Sequence, residues 1–190
     1  KNNKWLLIIF VTFVFTRFFG LDQIYHQDEY RWASIANPFF GDISSPHPPL
    51  PEYFYKLTGR FLGFDYLRVV PFVFSFFNLV LIYLVSLKIS KNKTVALIAV
   101  GLFTINVYSL IANLQIDIDG AILKFVILLT GYAYLHVLEE IKTRKRWFVL
   151  MGLAVIGGFL TKLSFSLFIG ALIIDQLLRA YYSKEKIGFK

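Results

Sequence analysis

Two adjacent carboxylates, Asp28 and Glu29, follow the first apolar run of the chain, residues 5–21. Neighbouring side chains on a helix point about 100° apart, so one carboxylate can face the interior while the other faces solvent or a metal ion. A carboxylate at a membrane surface above a helical bundle is a candidate general base. A simpler interpretation stays open, in which Asp28 caps a short helix and both charges favour its N-terminus.

Further ionisable residues lie at the expected external ends of apolar segments. Asp117 and Asp119 precede one such segment, and an ionisable residue inside a membrane segment tends to be functional because its insertion costs roughly 2.5–3.5 kcal/mol. Arg68, Lys124 and Lys162 stand where the positive-inside rule disfavours basic side chains. Such cations can balance the acidic residues or bind a phosphate. A polar turn at the aspartates and snorkelling of the lysines are the structural alternatives.

The other motifs exclude several classes of site. His47 lies in a rigid, proline-rich bend at residues 45–50, and three histidines without paired spacing disfavour a histidine metal site. The chain has no cysteine, which excludes disulfides, cysteine zinc sites and thiol catalysis. It contains no glycine-rich phosphate loop and no Gly-x-Ser-x-Gly motif. The sequence leaves open whether a divalent metal binds beside the acidic pairs.

The elements that must position these residues are membrane helices. Of the 190 residues, 57% are hydrophobic and 18% aromatic, which is more apolar surface than a soluble domain of this length can bury. A helix of residues 147–178 would be about 48 Å long, so we divide that run at Lys162. The sequence predicts an all-α, polytopic membrane bundle of about six transmembrane helices, at residues 5–21, 69–87, 95–114, 121–138, 147–160 and 163–178.

Residues 22–68 form an external loop in this prediction, and loops of that length are usually functional or disordered. We expect two helices in it, one over residues 30–36 with Asp28 as its N-cap and one from about Leu50 to Leu62. The apolar spacing of the second indicates a helix in the membrane interface. Most lysine and arginine residues fall on the opposite side with the N-terminus, which should therefore be cytoplasmic. A net charge of +8 would suggest a nucleic-acid partner in a soluble protein, but here the basic residues are explained by a cytoplasmic face.

Five short motifs along the chain occur in an order that points to a family. Together they resemble the N-terminal half of a GT-C glycosyltransferase, within the clan of protein O-mannosyltransferases and lipid A aminoarabinose transferases. The resemblance covers nearly the whole chain. The motifs are Asp28-Glu29-Tyr30, His47-Pro48-Pro49-Leu50, Leu67-Arg68-Val69-Val70-Pro71, Asp119-Gly120-Ala121-Ile122-Leu123 and Gly158-Phe159-Leu160-Thr161-Lys162.

The resemblance implies an inverting transfer of a sugar from a polyprenyl-phosphate carrier to a protein, lipid or glycan acceptor on the non-cytoplasmic face. The membrane would be a bacterial or archaeal plasma membrane or the endoplasmic reticulum. Asp28 matches the family's acidic residue that activates or orients the acceptor, with Glu29 as a supporting group. Arg68 and Lys162 match basic residues placed to hold the carrier phosphate. Asp119 matches the acidic residue that opens span four.

Two departures from the family pattern are informative. Aminoarabinose transferases carry lysine where this chain has His47, which favours the mannosyltransferase-like or general bacterial branch. Such enzymes also have more spans and often a soluble C-terminal domain. Residues 1–190 are therefore expected to be a single transmembrane module from the N-terminal part of a longer enzyme, and this part need not be active alone.

Two other functions compete with the glycosyltransferase hypothesis. In a transporter or channel, Asp117, Asp119 and Lys162 would line a polar path. That hypothesis lacks support from an internal repeat and does not explain the long amphipathic loop. A purely structural membrane subunit would leave the acidic external cluster unexplained.

Overall fold

The computed structural model describes residues 3–36, 48–139 and 143–188, and within these ranges the chain is helical and has no strands. This confirms the all-α class. A 3-10 turn at Phe64–Tyr66 precedes α4, and a π-helical turn at Asp119–Leu123 precedes α7. The α-helices are α1 (Asn3–Phe18), α2 (Gln27–Ala36), α3 (Leu50–Leu62), α4 (Val69–Ser90), α5 (Lys93–Ile105), α6 (Val107–Ala112), α7 (Lys124–Glu139), α8 (Arg144–Thr161) and α9 (Phe165–Gly188).

In the described parts of the chain, three helical stretches are long and apolar enough to cross a membrane: Phe64–Ser90, Asp119–Glu139 and Phe165–Tyr182. Each contains or overlaps one of the predicted spans. The total of about six spans stays a prediction, as does the cytoplasmic position of the N-terminus.

The predicted continuous span at residues 95–114 is wrong. Helix α5 is apolar but has 13 residues, about 20 Å of helix against about 30 Å of hydrocarbon. Asn106 ends α5, and its side-chain oxygen accepts a 3.0 Å hydrogen bond from the backbone N–H of Ser109 to begin α6. This asparagine cap divides an otherwise continuous apolar run.

The predicted break at Lys162 is confirmed. Helix α8 ends at Thr161, Lys162 has an extended backbone, and α9 begins at Phe165. The ring of Phe165 packs directly on Gly158, where a Cβ atom would collide with it. The glycine therefore allows the chain to fold back onto the end of α8.

A hydrophobic core lies between α1, α4 and α5. Phe13 is fully buried and stacks with Phe72 and Phe103, at ring-centroid distances of 6.4 and 6.1 Å. Arg17, on the same helix as Phe13, is also fully buried. Its guanidinium lies 4.0 Å over the Phe13 ring and donates to the carbonyl of Thr104 at 3.1 Å. Arg17 thus lies inside the bundle, where it satisfies a carbonyl at the end of α5.

Helices α2 and α3 pack against each other and over the start of α4. A Cβ atom at Gly59 of α3 would lie 3.0 Å from the carbonyl oxygen of Ala36 of α2, so the glycine permits this close approach. Their shared core also includes residues from the segment between α6 and α7. The buried members are Trp32, Ala33, Ala36, Tyr55, Leu67, Val70, Ile116, Ile118 and Ile122.

The two loop helices match their predictions to different degrees. Helix α3 spans Leu50–Leu62, as predicted, and leaves Tyr53, Leu57 and Phe61 exposed along one side. That exposed apolar stripe is the surface expected to contact lipid. Helix α2 begins at Gln27, earlier than predicted, so Asp28 lies in its first turn and is not the N-cap.

Candidate functional site

A buried ion pair joins Glu29 of α2 to Arg68, the residue just before α4. Two parallel hydrogen bonds connect them, Nη1 to Oε1 at 2.7 Å and Nη2 to Oε2 at 2.8 Å. The two side chains are 2% and 6% exposed respectively. Bidentate contacts of this kind fix the relative orientation of the two side chains in addition to pairing their charges.

The remaining N–H bonds of Arg68 go to backbone carbonyls. Nε donates to Gln23 at 3.3 Å, Nη1 to Leu114 at 2.8 Å and Nη2 to Ile24 at 3.1 Å. A guanidinium has five N–H donors. All five are therefore engaged by the protein itself, and none is left for a phosphate in this arrangement.

The carboxylate of Glu29 is equally saturated. Besides the two bonds from Arg68, it accepts from the backbone N–H of His26 at 2.6 Å and from that of Ile116 at 2.9 Å. The His26 contact is half of a capping box, because a side chain three residues into the helix satisfies the N–H before it. The pair therefore ties the first turn of α2 to the start of α4 and to residues 114–116.

The neighbouring carboxylate, Asp28, is exposed. It lines a cavity of about 640 Å³ together with Thr16, His26, Gln115 and other residues, and the Glu29–Arg68 pair forms part of the same wall. The structure thus separates the two acidic residues that are adjacent in sequence. One is buried and fully bonded, and the other faces open space.

A second ion pair joins Asp119 to Lys162. The ammonium lies 2.8 and 2.6 Å from the two carboxylate oxygens, and the side chains are 54% and 30% exposed. An exposed pair of this kind stabilises by about 0–1 kcal/mol. Lys162 can therefore exchange Asp119 for another anion at little cost.

Asp117 lies within electrostatic range of both ion pairs. Desolvation by burial raises the pKa of Asp117 to about 6, helped by the negative charges of Asp119 and Glu29. A 2.9 Å hydrogen bond from the backbone N–H of Gly120 and the charge of Lys162 act in the opposite direction. Asp117 thus interacts electrostatically with Glu29 of the first pair and with Asp119 and Lys162 of the second.

The sequence analysis did not single out Tyr55 of α3. This side chain is fully buried, and its hydroxyl donates to the backbone carbonyl of Asp117 at 2.6 Å. Its ring lies 6.0 Å from that of Trp32, and burial raises the pKa of its hydroxyl well above the ordinary value. The available signal was its position on the side of α3 opposite the exposed stripe.

The other predicted residues take no part in the two pairs. His47 lies outside the described residues. The ammonium of Lys124 lies 5.4 Å over the ring of Phe103. Among the residues that the structure describes, no group of three histidine, aspartate or glutamate side chains could hold a metal ion.

Comparison with known proteins identifies the family. The family model described as dolichyl-phosphate-mannose-protein mannosyltransferase matches residues 46–187, well over half of the chain. The chain belongs to this family. The match includes Arg68, Asp119 and Lys162 and begins after Asp28 and Glu29. A comparison with curated proteins and one with solved structures found no match.

Membership of the dolichyl-phosphate-mannose-protein mannosyltransferase family confirms the resemblance seen in the motifs and indicates a membrane glycosyltransferase of the GT-C type. Within this mannosyltransferase-family chain, the two ion pairs differ in kind. The Glu29–Arg68 pair is buried, saturated and suited to holding backbone segments in place. The Asp119–Lys162 pair is exposed and suited to exchanging partners with a ligand.

Proposed function

We propose that the protein transfers a sugar from a polyprenyl-phosphate carrier to an acceptor hydroxyl on the non-cytoplasmic side of the membrane. The observation that carries the proposal is the exposed Asp28 at the wall of a cavity, held by the buried Glu29–Arg68 pair beside it. The family match supports the reaction class. A lipid-linked donor fits this location because nucleotide sugars are not available outside the cytoplasm.

In this mechanism Asp28 is the general base. The acceptor oxygen attacks the anomeric carbon while the bond between that carbon and the phosphate oxygen breaks. The electron pair of the broken bond stays on the phosphate, and Asp28 takes the proton of the acceptor hydroxyl. Attack opposite the phosphate inverts the anomeric centre.

The cationic residues receive different roles. Lys162 stabilises the charge that develops on the leaving phosphate, exchanging its contact with Asp119 for one with the carrier. Arg68 is a positioning residue, since its donors are all used within the protein. Glu29 is likewise a positioning residue, which fixes the first turn of α2 and hence Asp28.

The test of the base is an Asp28→Asn variant, assayed for transfer of mannose from dolichyl-phosphate mannose in proteoliposomes. We expect kcat to fall roughly a hundredfold or more, which is the usual contribution of a general base. Glu52→Gln on α3 is the control and should keep the wild-type rate, since Glu52 pairs with Lys56 and does not line the cavity that contains Asp28. Wild-type transfer by Asp28→Asn would overturn the assignment.

The carrier-phosphate role of Lys162 is tested separately. A hydrogen bond to a charged group contributes about 1.5–3 kcal/mol, so Lys162→Ala should lower kcat/KM for the lipid donor roughly tenfold or more. Lys162→Arg should recover part of that loss, and Lys56→Ala on α3 serves as a lysine control. An unchanged donor kcat/KM in Lys162→Ala would remove Lys162 from the phosphate site.

A further inference from the structure

A second cavity, of about 660 Å³, lies next to the one lined by Asp28. It is formed where the end of α1 meets the start of α2 and the turn before α4. Phe19, Gln23 and Ile24 line both cavities, so the two spaces share a wall. The aromatic side chains that surround the second cavity are Phe18, Phe19, Tyr25, Tyr30, Phe64 and Tyr66.

The charge of this aromatic cavity is negative. Asp22 and Asp65 are exposed and line it, and the described residues that line it include no lysine or arginine. An anionic ligand, such as the carrier phosphate or an acidic lipid headgroup, is therefore disfavoured here. Aromatic faces together with carboxylates are the groups that attract cations, through the ring quadrupole and through Coulomb attraction.

The aromatic wall is held in a defined geometry. The hydroxyl of Tyr25 donates to the backbone carbonyl of Phe64, and the Tyr25 ring meets those of Tyr30 and Phe64 edge to face at centroid distances of 6.0 and 5.4 Å. The guanidinium of Arg68 lies 5.4 Å over the Tyr25 ring. The Tyr25 ring thus already contacts one cation, the Arg68 guanidinium, whose charge is neutralised by Glu29.

We propose that this aromatic, acidic cavity binds a lysine or arginine side chain of a peptide acceptor whose hydroxyl lies a few residues away. The peptide would cross the wall formed by Phe19, Gln23 and Ile24 and place its hydroxyl at Asp28. The inference rests on the proposed function, because the acceptor is defined by that reaction. It deepens that function by adding a lysine or arginine near the hydroxyl to the peptide acceptor that the family description implies.

Binding is measured first, without catalysis. A dye-labelled threonine peptide flanked by lysines and the same peptide with glutamines at those positions are titrated into the protein in nanodiscs, with fluorescence anisotropy as the signal. We expect the lysine peptide to bind at least fivefold more tightly and its advantage to shrink at high salt. Equal affinity for the two peptides would overturn the inference.

The variants locate the binding site. Asp22→Asn with Asp65→Asn should bring the two peptides within about twofold of each other, and Tyr66→Ala should weaken the lysine peptide roughly two- to fivefold. Glu52→Gln and Tyr53→Ala are the matched controls. Tyr53 is 66% exposed and Tyr66 59%, and Tyr53 lies on α3, away from the cavity. Loss of the preference in the controls instead of the cavity variants would place cation binding elsewhere and overturn the proposal.

Two further outcomes separate the competing explanations. If a neutral oligosaccharide of mannose competes with the labelled peptide and lysine gives no advantage, the cavity takes a glycan and the inference is wrong. If the lysine peptide binds with the predicted dependence on Asp22, Asp65 and Tyr66 but wild-type protein transfers no sugar to it, the cation site stands and the proposed reaction fails. Transfer with a KM preference for the lysine peptide supports both.

Discussion

Replacing Glu29 with glutamine tests whether this carboxylate stabilises the fold or takes part directly in the reaction. Glutamine keeps the shape of the side chain but replaces one acceptor oxygen with a donating NH₂ group. Each oxygen of Glu29 accepts two hydrogen bonds, Oε1 from Arg68 and Ile116, and Oε2 from Arg68 and His26. In the variant, whichever way the amide turns, two N–H donors face a nitrogen that cannot accept.

The expected loss of stability follows from these contacts. A buried donor without an acceptor costs about 1–3 kcal/mol, and removing one charge of a buried ion pair costs about 3–5 kcal/mol. These two figures describe the same loss from different sides, so we expect Glu29→Gln to lower the free energy of unfolding by about 3–5 kcal/mol. That is a large part of the 5–15 kcal/mol by which a typical protein is stable.

The neighbouring residue supplies the matched control. Asp28→Asn makes the same chemical change one position earlier, at an exposed side chain, and should alter stability by no more than about 0.5 kcal/mol. Thermal unfolding of the detergent-solubilised protein, followed by tryptophan fluorescence, should show Tm lowered on the order of 10 °C for Glu29→Gln and unchanged for Asp28→Asn. At a temperature where both variants are folded, Asp28→Asn should lose more transfer activity than Glu29→Gln.

A double variant distinguishes a structural pair from a chemical one. Because each single change leaves the other charge without its partner, the double variant Glu29→Gln with Arg68→Met should lose less stability than the sum of the two single variants, by roughly 0.5–3 kcal/mol. The reasoning is refuted if Glu29→Gln unfolds within a degree or two of the wild type, or if Asp28→Asn unfolds as early as Glu29→Gln does.

Two further predictions concern the turns that hold the site. Gly158→Ala should destabilise the protein by about 1–3 kcal/mol, since its Cβ would meet the ring of Phe165, whereas Gly152→Ala on the same helix meets nothing within 4 Å and should be neutral or slightly stabilising in thermal unfolding. Burial raises the pKa of Asp117 to about 6, so the folded state holds this proton more tightly than the unfolded state, and the contribution of Asp117 to stability should be greatest below about pH 4 and fall as pH rises to about 6. Asp117→Asn should flatten that part of a plot of Tm against pH, and an unchanged slope would contradict the assignment.

The features that sequence analysis predicted well have local causes. Helix α3 begins after a pair of prolines and keeps a helical apolar spacing, and it spans Leu50–Leu62 as expected. The break at Lys162 follows from the glycine pair in the preceding turns and a charged residue in an apolar run. Signals of this kind act within one or two helical turns, so neighbouring residues suffice to determine them.

The failed span at residues 95–114 also had a local cause. Its composition is apolar enough for a membrane helix, but Asn106 offers a side-chain cap that competes with continuation of the helix. Average hydrophobicity over a window does not register a single capping residue. The family membership, in contrast, was recognisable from motifs because their order along the chain is itself a property of the sequence.

The roles of the charged residues depended on the tertiary structure. The sequence alone determined that this is an all-helical membrane chain with acidic and basic residues at the ends of its apolar segments, since composition and spacing are sufficient for that. It did not determine which charges pair, because Arg68 complements a phosphate as well as a carboxylate. Packing places Glu29, 39 residues away, against Arg68 and supplies the carbonyls that saturate it. Only the fold therefore decided that Glu29 is buried while Asp28, the next residue in the chain, is exposed.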